Sequence, residues 1–131
     1  MNLQTRLISP YAFAGMKYNQ RKKYEMTDIV TVVARHTGKT FEQMKERNRN
    51  QYLVEARALC YLFIRKLMPY TNFGLIAEHF GGFDRTTIMH GVIAIKDKMA
   101  FDERLSNLYN KIELDLQAGN IIDELKSLKI N

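Results

Sequence analysis

The chain has 131 residues, of which 46% are hydrophobic, and carries a formal net charge of +6, two prolines, seven glycines and one cysteine. This length and apolar content predict one globular domain whose core needs neither a disulfide nor a structural metal. The sequence has no run of about 20 apolar residues that could span a membrane, no signal-peptide core, and no second cysteine for an internal disulfide. We therefore expect a cytoplasmic protein without a membrane partner.

The positive charge is concentrated in the first part of the chain. Residues 1–50 hold ten Lys and Arg against four Asp and Glu, whereas residues 101–131 hold four against six. Such an asymmetry is typical of a protein that binds a polyanion, nucleic acid before membrane, although a solvated basic surface gives the same count. Residues 1–26 show little periodicity and alternate cations with tyrosines, which predicts a basic arm for a phosphate backbone or minor groove, or an irregular terminus.

Two short helices are predicted to open the domain. The first begins at Thr27 or Asp28, either of which can cap it, and ends near Gly38. The second begins at a capping-box pair formed by Thr40 and Gln43. The apolar residues expected in the core are Ile29, Val32, Val33, Phe41 and Met44.

The stretch Lys45–Gln51, called here the basic loop, is polar throughout and contains no apolar anchor. It predicts an exposed loop between helices. A guanidinium is always charged and is attracted by the negative potential of a narrow groove, so Arg47 and Arg49 suit phosphate or minor-groove contact. A solvated loop without a partner has the same composition, and both interpretations stay open at this point.

A long core helix is predicted over residues 51–68. Its apolar stripe includes Cys60, which we interpret as a small buried hydrophobe. Pro69 ends this helix, because proline disfavours helical geometry in the residue before it. Thr71 or Asn72 then caps a short helix that leads into Gly81. The other apolar positions of the long helix's stripe are Leu53, Ala56, Phe63 and Leu67, and the short helix contains Leu75, Ile76 and Phe80.

The most informative stretch is Gly81–Ile88. Two glycines allow a sharp turn, and the Asp84 carboxylate is predicted to cap the next helix by accepting from the N–H of residue 86 or 87. In the helix over residues 85–99, Thr86 and His90 face outward. Its apolar stripe is Ile88, Val92, Ile95 and Met99. Two helices joined by a tight turn form a helix-turn-helix, which inserts its second helix into the DNA major groove.

The final segment, residues 101–131, is predicted to be a helical extension that packs on the domain. Helix continues after Met99 until Gly119 and Asn120 end it, and residues 121–128 form one more amphipathic helix. That last helix either closes the domain's own core, which we favour, or binds a protein partner or a second copy. The expected apolar positions are Leu105, Leu108, Ile112, Leu116, Ile121, Ile122, Leu125 and Leu128.

Residues from about 29 to 99 resemble the C-terminal DNA-binding domain of the bacterial chromosomal replication initiator DnaA. The family signature reads Gly-Gly-Arg-Asp-His-Thr-Thr-Val-Leu-His, and Gly81–His90 reads Gly-Gly-Phe-Asp-Arg-Thr-Thr-Ile-Met-His. Upstream agreement includes Ile76-Ala77 and Phe80, Ala56-Arg57, Tyr61-Leu62 and Arg65-Lys66-Leu67, together with the basic loop. The resemblance implies an all-α bundle with a TrpR-like helix-turn-helix over residues 27–100.

The resemblance also implies roles for individual residues. The helix 85–99 would enter the major groove and the basic loop, 45–51, the adjacent minor groove of double-stranded DNA. Residues implied to contact bases are Asp84, Arg85, Thr86 and, in the minor groove, Arg49. Residues implied to hold phosphates are Arg47, Arg57, Arg65, Thr87 and Thr71. Further candidates for contact are Phe83, His90 and Lys45.

Two departures from the signature predict a changed DNA site. Phe83 stands where the family has arginine, and Arg85 stands where it has a base-reading histidine. Arginine is the commonest reader of guanine, so the docking mode is expected to persist while the preferred sequence differs.

The expected function is sequence-specific DNA binding in replication initiation or its regulation. The sequence contains no Gly-x-x-x-x-Gly-Lys-Ser/Thr loop, so we expect no nucleotide and no ATPase activity, and interpret the chain as a stand-alone module. His36, His79 and His90 are scattered and lack cysteine partners, which argues against an enzyme, a metal or a cofactor. The alternative is a protein-interaction module or transcriptional regulator that keeps this fold and acts through a protein partner.

Overall fold

The structure, a computed structural model, describes residues 24–130, with side chains described as far as residue 119. Within those residues the chain forms six helices and no strand, which confirms the predicted all-α class. The helices are α1 (Met26–Thr37), α2 (Phe41–Met44), α3 (Gln51–Leu67), α4 (Phe73–His79), α5 (Arg85–Met99) and α6 (Glu103–Ile130). None of these described helices has the length and hydropathy to cross a membrane. Most of the predicted basic arm, through residue 23, lies outside the described residues.

Helix α3 is the centre of the domain, as its apolar stripe predicted. Every residue from Ala56 to Ile64 is buried, because α1, α2 and α5 all pack against this helix. Cys60 is fully buried, and burial raises the pKa of its thiol, so it behaves as the small hydrophobe that was expected. Helix α4 packs against α5. The largest fully buried side chains are Phe63, Phe80, Ile29, Met44, Leu59, Ile64, Ile76, Ile88, Leu105, Ile112 and Val33.

The start of α1 differs from the prediction. Glu25, rather than Thr27 or Asp28, is the N-cap residue, and the Asp28 carboxylate accepts from the Glu25 N–H at 3.1 Å. Asp28 therefore serves as the distant member of a capping box. The other end is as expected, since Gly38 has a φ of 75° and donates its N–H to the Ala34 carbonyl at 2.8 Å.

The connections around α2, α3 and α4 follow the predicted caps. The Thr40 hydroxyl accepts from the Gln43 N–H at 3.1 Å, while the Gln43 side chain accepts from the Thr40 N–H at 2.9 Å. Helix α3 ends at Leu67, two residues before the proline. Asn72, of the two candidates for the next cap, accepts from the Leu75 N–H at 2.9 Å. These local signals fix where α2 and α4 begin and where α3 ends.

The region after α5 differs from the prediction in two places. The helix stops at Met99, and α6 begins at Glu103 because Asp102 caps it, its carboxylate accepting from the Leu105 N–H at 3.2 Å. Helix α6 then runs through Gly119 to Ile130 without the predicted interruption. A single glycine inside a helix costs only about 1 kcal/mol, which the rest of a long helix offsets. The predicted apolar face over 121–128 lies outside the described side chains.

Candidate nucleic-acid interface

The N-terminal turn of α5 presents polar side chains to solvent. Ile88, Val92 and Ile95 are buried against the core on one face of this helix. On the other faces the exposed residues include Arg85, Thr86, Thr87 and His90. The outward orientation predicted for Thr86 and His90 is therefore confirmed. Because the core holds the helix through its opposite face, these side chains are available to a ligand.

Asp84 occupies the predicted N-cap position but does not cap with its side chain. Its backbone carbonyl accepts from the Thr87 N–H at 2.9 Å and from the Ile88 N–H at 3.3 Å, and its carboxylate makes no cap hydrogen bond. The expectation of a carboxylate cap was therefore wrong, although the backbone of Asp84 has the extended conformation that is usual at an N-cap. The carboxylate is exposed and stays at the positive end of the helix, where a negative charge is favourable.

The glycine turn, Gly81–Asp84, sets the direction of α5 relative to α4. Gly81 has a φ of 94° and Gly82 a φ of 87°, a region that L side chains rarely adopt. The Gly82 N–H donates to the Ala77 carbonyl at 2.9 Å, which closes the end of α4. Two consecutive left-handed residues explain why this turn requires glycine at both positions.

Arg57 holds the basic loop from inside the fold. Its side chain is buried, with 7% of the residue exposed. Nε donates to the Met44 carbonyl at 2.7 Å, and Nη2 donates to the Glu46 carbonyl at 2.7 Å and the Asn48 carbonyl at 2.5 Å. Three backbone acceptors thus bind one guanidinium, and burial lowers the pKa of that group. The resemblance implied a phosphate contact for Arg57, whereas its geometry is that of a residue that shapes the loop.

The two places that the sequence singled out meet in the structure. Arg47 of the basic loop donates from Nη2 to the Gly82 carbonyl at 3.3 Å. The guanidinium carbon of Arg47 lies 4.8 Å from the centre of the Phe83 ring, and that of Arg57 lies 5.3 Å from it. A Cβ on Gly81 would lie 3.5 Å from the Lys45 Cβ. The basic loop therefore packs directly on the glycine turn.

Arg49 projects from the exposed part of this loop. The flanking residues Glu46 to Asn50 are all exposed, which confirms the loop expected there. Asn50 closes the loop by accepting from the Tyr52 N–H at 3.0 Å and the Leu53 N–H at 3.3 Å, so it caps α3. This cap was not predicted, although asparagine before an apolar run is a usual signal for one.

Lys45, a further candidate, lies at the edge of the loop. Its ammonium is 3.2 Å from a Glu42 carboxylate oxygen and 4.8 Å from the centre of the Phe41 ring. His79 stacks on the same ring, with centroids 5.0 Å apart. Burial, followed by the charge of Lys45, lowers the pKa of His79, so a neutral imidazole is favoured beneath the loop.

Arg65 and Thr71 meet at the start of α4. Arg65 donates from Nη1 to the Thr71 carbonyl at 2.5 Å, and its guanidinium carbon lies 4.7 Å from the centre of the Phe73 ring. Thr71 itself is buried, with 8% exposed. Of these two candidates for phosphate contact, Arg65 is only partly buried, whereas the Thr71 side chain is hidden from solvent.

An ion cluster that the sequence did not predict joins α5 to the rest of the domain. Glu55 on α3 is buried, and its carboxylate accepts from Lys98 at 2.5 Å and from Arg104 at 2.9 Å through each oxygen. Burial by itself would raise the pKa of Glu55, but the hydrogen bonds and charges of both cations outweigh it, and the pKa is lowered. The cluster anchors the C-terminal end of α5.

Comparison with known proteins places this arrangement in a family. A family model described as the bacterial dnaA protein helix-turn-helix matches residues 26–95. Chromosomal replication initiator protein DnaA of Agrobacterium fabrum is 28% identical over 88 residues, which cover 67% of this chain and 18% of that protein. The same-named protein of Deinococcus radiodurans is 29% identical over 121 residues, covering 92% of this chain and 26% of that protein.

The chain matches only about a quarter or less of the length of these relatives. For the initiator of Rhizobium meliloti, the matched region covers 18% of that protein. The family match nonetheless includes α1 to the last turn of α5, and so contains both the basic loop and the glycine turn. The chain belongs to the bacterial DnaA helix-turn-helix family.

Proposed function

We propose that this protein binds double-stranded DNA in a sequence-specific manner, with α5 in the major groove and the basic loop in the adjacent minor groove. The observation that carries the proposal is the contact between the basic loop and the glycine turn, through Arg47, Gly82 and Phe83. It puts a cationic loop beside a helix N-terminus whose polar side chains are free. Family membership supports DNA binding in replication initiation.

Base reading in the major groove is assigned to Asp84, Arg85 and Thr86. The Asp84 carboxylate is free to accept from a cytosine amino group, because it makes no cap hydrogen bond. Arg85 can donate to both acceptors of a guanine, and the Thr86 methyl can pack on a thymine methyl. His90 lies one turn beyond Thr86 on an exposed face and can extend this row of contacts.

Minor-groove binding is assigned to Arg49. It is exposed in a loop that lacks apolar anchors of its own, and a guanidinium is attracted by the negative potential of a narrow A·T-rich groove. Phosphate contacts are assigned to Arg47, Arg65 and Thr87, and Lys45 can add to them. Arg57 and Thr71 are buried, so we assign them positions in the scaffold of the interface instead.

The substitution of arginine for the signature histidine at position 85 supports a changed DNA site. Histidine and arginine present different donors to a base edge, and only arginine offers a bidentate fork to guanine. We propose that the protein marks or regulates a replication origin through a site that differs from the family's own, and that it acts as a duplex-binding module without catalysis. We also propose that the chain divides into a basic arm over 1–26, a helix-turn-helix domain over 27–100 and a helical extension over 101–131.

A duplex titration at several salt concentrations tests DNA binding. We expect the logarithm of the affinity for a randomised labelled duplex to fall linearly with the logarithm of the salt concentration. Arg49→Ala should reduce that slope by about one. Arg35→Ala is the matched control, because Arg35 is an exposed arginine on α1 that pairs with Asp115 at 3.3 Å, and it should leave the slope unchanged.

Selection from random duplexes, with the same protein preparation, tests sequence specificity. We expect one enriched site, and Thr86→Ala should relax preference at one base pair by roughly 1 to 3 kcal/mol. Enrichment of the unmodified family site would contradict the changed preference. No binding to any duplex at low salt would contradict DNA binding as a whole and would favour the protein-partner function.

A further inference from the structure

Phe83 lies at the junction of the two proposed DNA-reading elements. It sits between the glycines and Asp84, is half-buried, and packs against the edge of the core. Two guanidinium groups approach its ring, that of Arg47 at 4.8 Å and that of Arg57 at 5.3 Å. A cation this close to an aromatic centroid is attracted by the negative face of the ring.

The two arginines hold the basic loop from different positions, one on α3 and one in the loop itself. Arg57 projects from α3 and binds the carbonyls of Met44, Glu46 and Asn48, which define the course of the loop. Arg47 is itself a loop residue and donates to the Gly82 carbonyl. The Phe83 ring therefore contacts both the loop and the group that holds the loop, while its own backbone leads directly into α5.

The residue type matters at this position. The Arg47 and Arg57 guanidiniums both lie near one ring, and an arginine side chain in place of that ring would add a third positive charge to them. Like charges at this separation repel, whereas the quadrupole of an aromatic ring attracts both. The phenylalanine of this chain is thus chemically suited to hold the basic loop on the glycine turn.

We propose that Phe83 is a positioning residue that fixes the basic loop relative to α5 and so sets the spacing, along the duplex, between the minor-groove and major-groove contacts. This inference rests on the proposed DNA binding for its second half only. The first half, the coupling of loop to turn, is a property of the free protein and is measurable without DNA.

Amide hydrogen exchange of the free protein tests the coupling. The amides of Lys45, Glu46 and Asn50 donate to acceptors within or next to the loop, so their exchange reports on its opening. Phe83→Ala should accelerate exchange of these three amides at least about tenfold relative to the unmodified chain, an opening change of the size expected from losing one such contact. Exchange in α3 should stay unchanged. Phe83→Tyr keeps the aromatic ring, so exchange in the basic loop should be as slow as in the unmodified chain. Phe83→Leu keeps an apolar side chain without the ring's quadrupole, so exchange in the loop should be as rapid as in Phe83→Ala.

Phe73→Ala is the matched control for this experiment. Phe73 is also half-buried and also lies under an arginine, with the Arg65 guanidinium carbon at 4.7 Å, but at the start of α4. It should leave exchange in the basic loop unchanged. Equal acceleration throughout the domain in Phe83→Ala, or loop exchange like that of the unmodified chain, would overturn the proposal.

Selection from a pool of randomised duplexes tests the spacing. The unmodified chain should enrich two conserved blocks at one fixed separation, and a one-base-pair change in that separation should weaken binding about tenfold. Phe83→Ala should enrich several separations and lose most of that penalty, while Phe83→Tyr should behave like the unmodified chain. A single unchanged separation in Phe83→Ala would overturn the inference.

The two proposals fail in different ways. If the unmodified chain enriches no duplex at low salt, the proposed function fails, and the exchange experiment still decides whether Phe83 couples the loop to the turn. If the unmodified chain binds its site but Phe83→Ala keeps both the slow exchange and the fixed spacing, only the positioning role fails.

Discussion

The glycine turn with α5 and the basic loop are held in opposite ways. Helix α5 is fixed by its own apolar face, with Ile88, Val92 and Ile95 in the core, and by the Glu55 cluster at its far end. The basic loop contributes no apolar side chain between Lys45 and Gln51, and its course depends on Arg57 and on contacts with the glycine turn. One of the two proposed DNA-reading elements is anchored mainly by hydrophobic burial, and the other mainly by hydrogen bonds to the Arg57 guanidinium.

This difference shows how one domain can combine a fixed backbone with surface side chains that can be substituted. Burial of an apolar stripe fixes a helix without using the side chains on its outer face, so those side chains can vary without loss of the fold. A loop held mainly through its backbone carbonyls leaves an exposed side chain such as that of Arg49 free to vary, but it loses much of its shape if Arg57 is removed. Substitutions at the two kinds of anchor should therefore have effects of different size.

The largest effect is expected at Arg57. Arg57→Ala should lower the free energy of unfolding by about 2 to 4 kcal/mol, because the Met44 carbonyl at the end of α2 and two carbonyls of the basic loop would lose a charged donor, and the first of these bonds is buried. Urea denaturation measures this. Arg65→Ala, which loses one hydrogen bond at a less buried site, should cost less than half as much. Equal losses in the two variants would contradict the special role of Arg57.

A smaller effect is expected at the glycine turn. Gly82→Ala should destabilise the protein by about 1 to 2 kcal/mol, because a φ of 87° is strained for any residue with a Cβ even though the space beside Gly82 is open. Gly119→Ala is the control, since Gly119 lies inside α6 with open space around it, and should stabilise by up to about 1 kcal/mol. Thermal unfolding followed by circular dichroism compares the two, and a neutral Gly82→Ala would exclude the strained turn.

A pH-dependent effect is expected at Glu55. Its pKa in the folded protein lies below the ordinary value of 4.5, so the ionised form stabilises the fold above that pH, and the contribution is lost as the pH falls below 4.5 through the lowered pKa. Glu55→Gln should flatten the dependence of unfolding free energy on pH in this acid range. Chemical denaturation at a series of pH values checks it, and an unchanged acid profile in the variant would refute the role of the cluster.

The smallest effect on stability is expected at Asp84. Because its carboxylate makes no cap hydrogen bond, Asp84→Ala should change the free energy of unfolding by less than about 0.5 kcal/mol. Asn72→Ala removes an N-cap that does bond, to the Leu75 N–H, and should cost about 1 kcal/mol. A loss at Asp84 as large as that at Asn72 would show that the carboxylate does cap α5 in solution.

The features predictable from the sequence were those carried by local signals. Apolar periodicity located α3 and the buried face of α5, the Thr40–Gln43 pair located α2, and the glycines located the turn before α5. Asp102 was missed as a cap because the apolar spacing continues on both sides of it. Gly119 was wrongly predicted to end the helix, because the free-energy cost of one glycine is smaller than the stabilisation of a long helix.

The features that escaped prediction were contacts between distant segments. Arg57 lies on a helix whose sequence gives no sign that its guanidinium reaches back to three backbone carbonyls at the end of α2 and in the basic loop. Glu55, Lys98 and Arg104 are ordinary charged residues in the sequence. They become a cluster only because the end of α5 and the start of α6 both lie next to α3. Phe83 was a candidate for contact on resemblance alone, and its position between two arginines depends on where the loop lies.

The most direct test of the account uses a duplex selected by the unmodified chain, with individual A·T pairs replaced by inosine·cytosine pairs. This replacement changes the hydrogen-bonding edge in the major groove and leaves the minor-groove edge like that of A·T. We predict that it preserves affinity in the block contacted by the basic loop and weakens binding in the block contacted by α5. Weakening in both blocks, or the reverse pattern, would contradict the assignment of the two grooves.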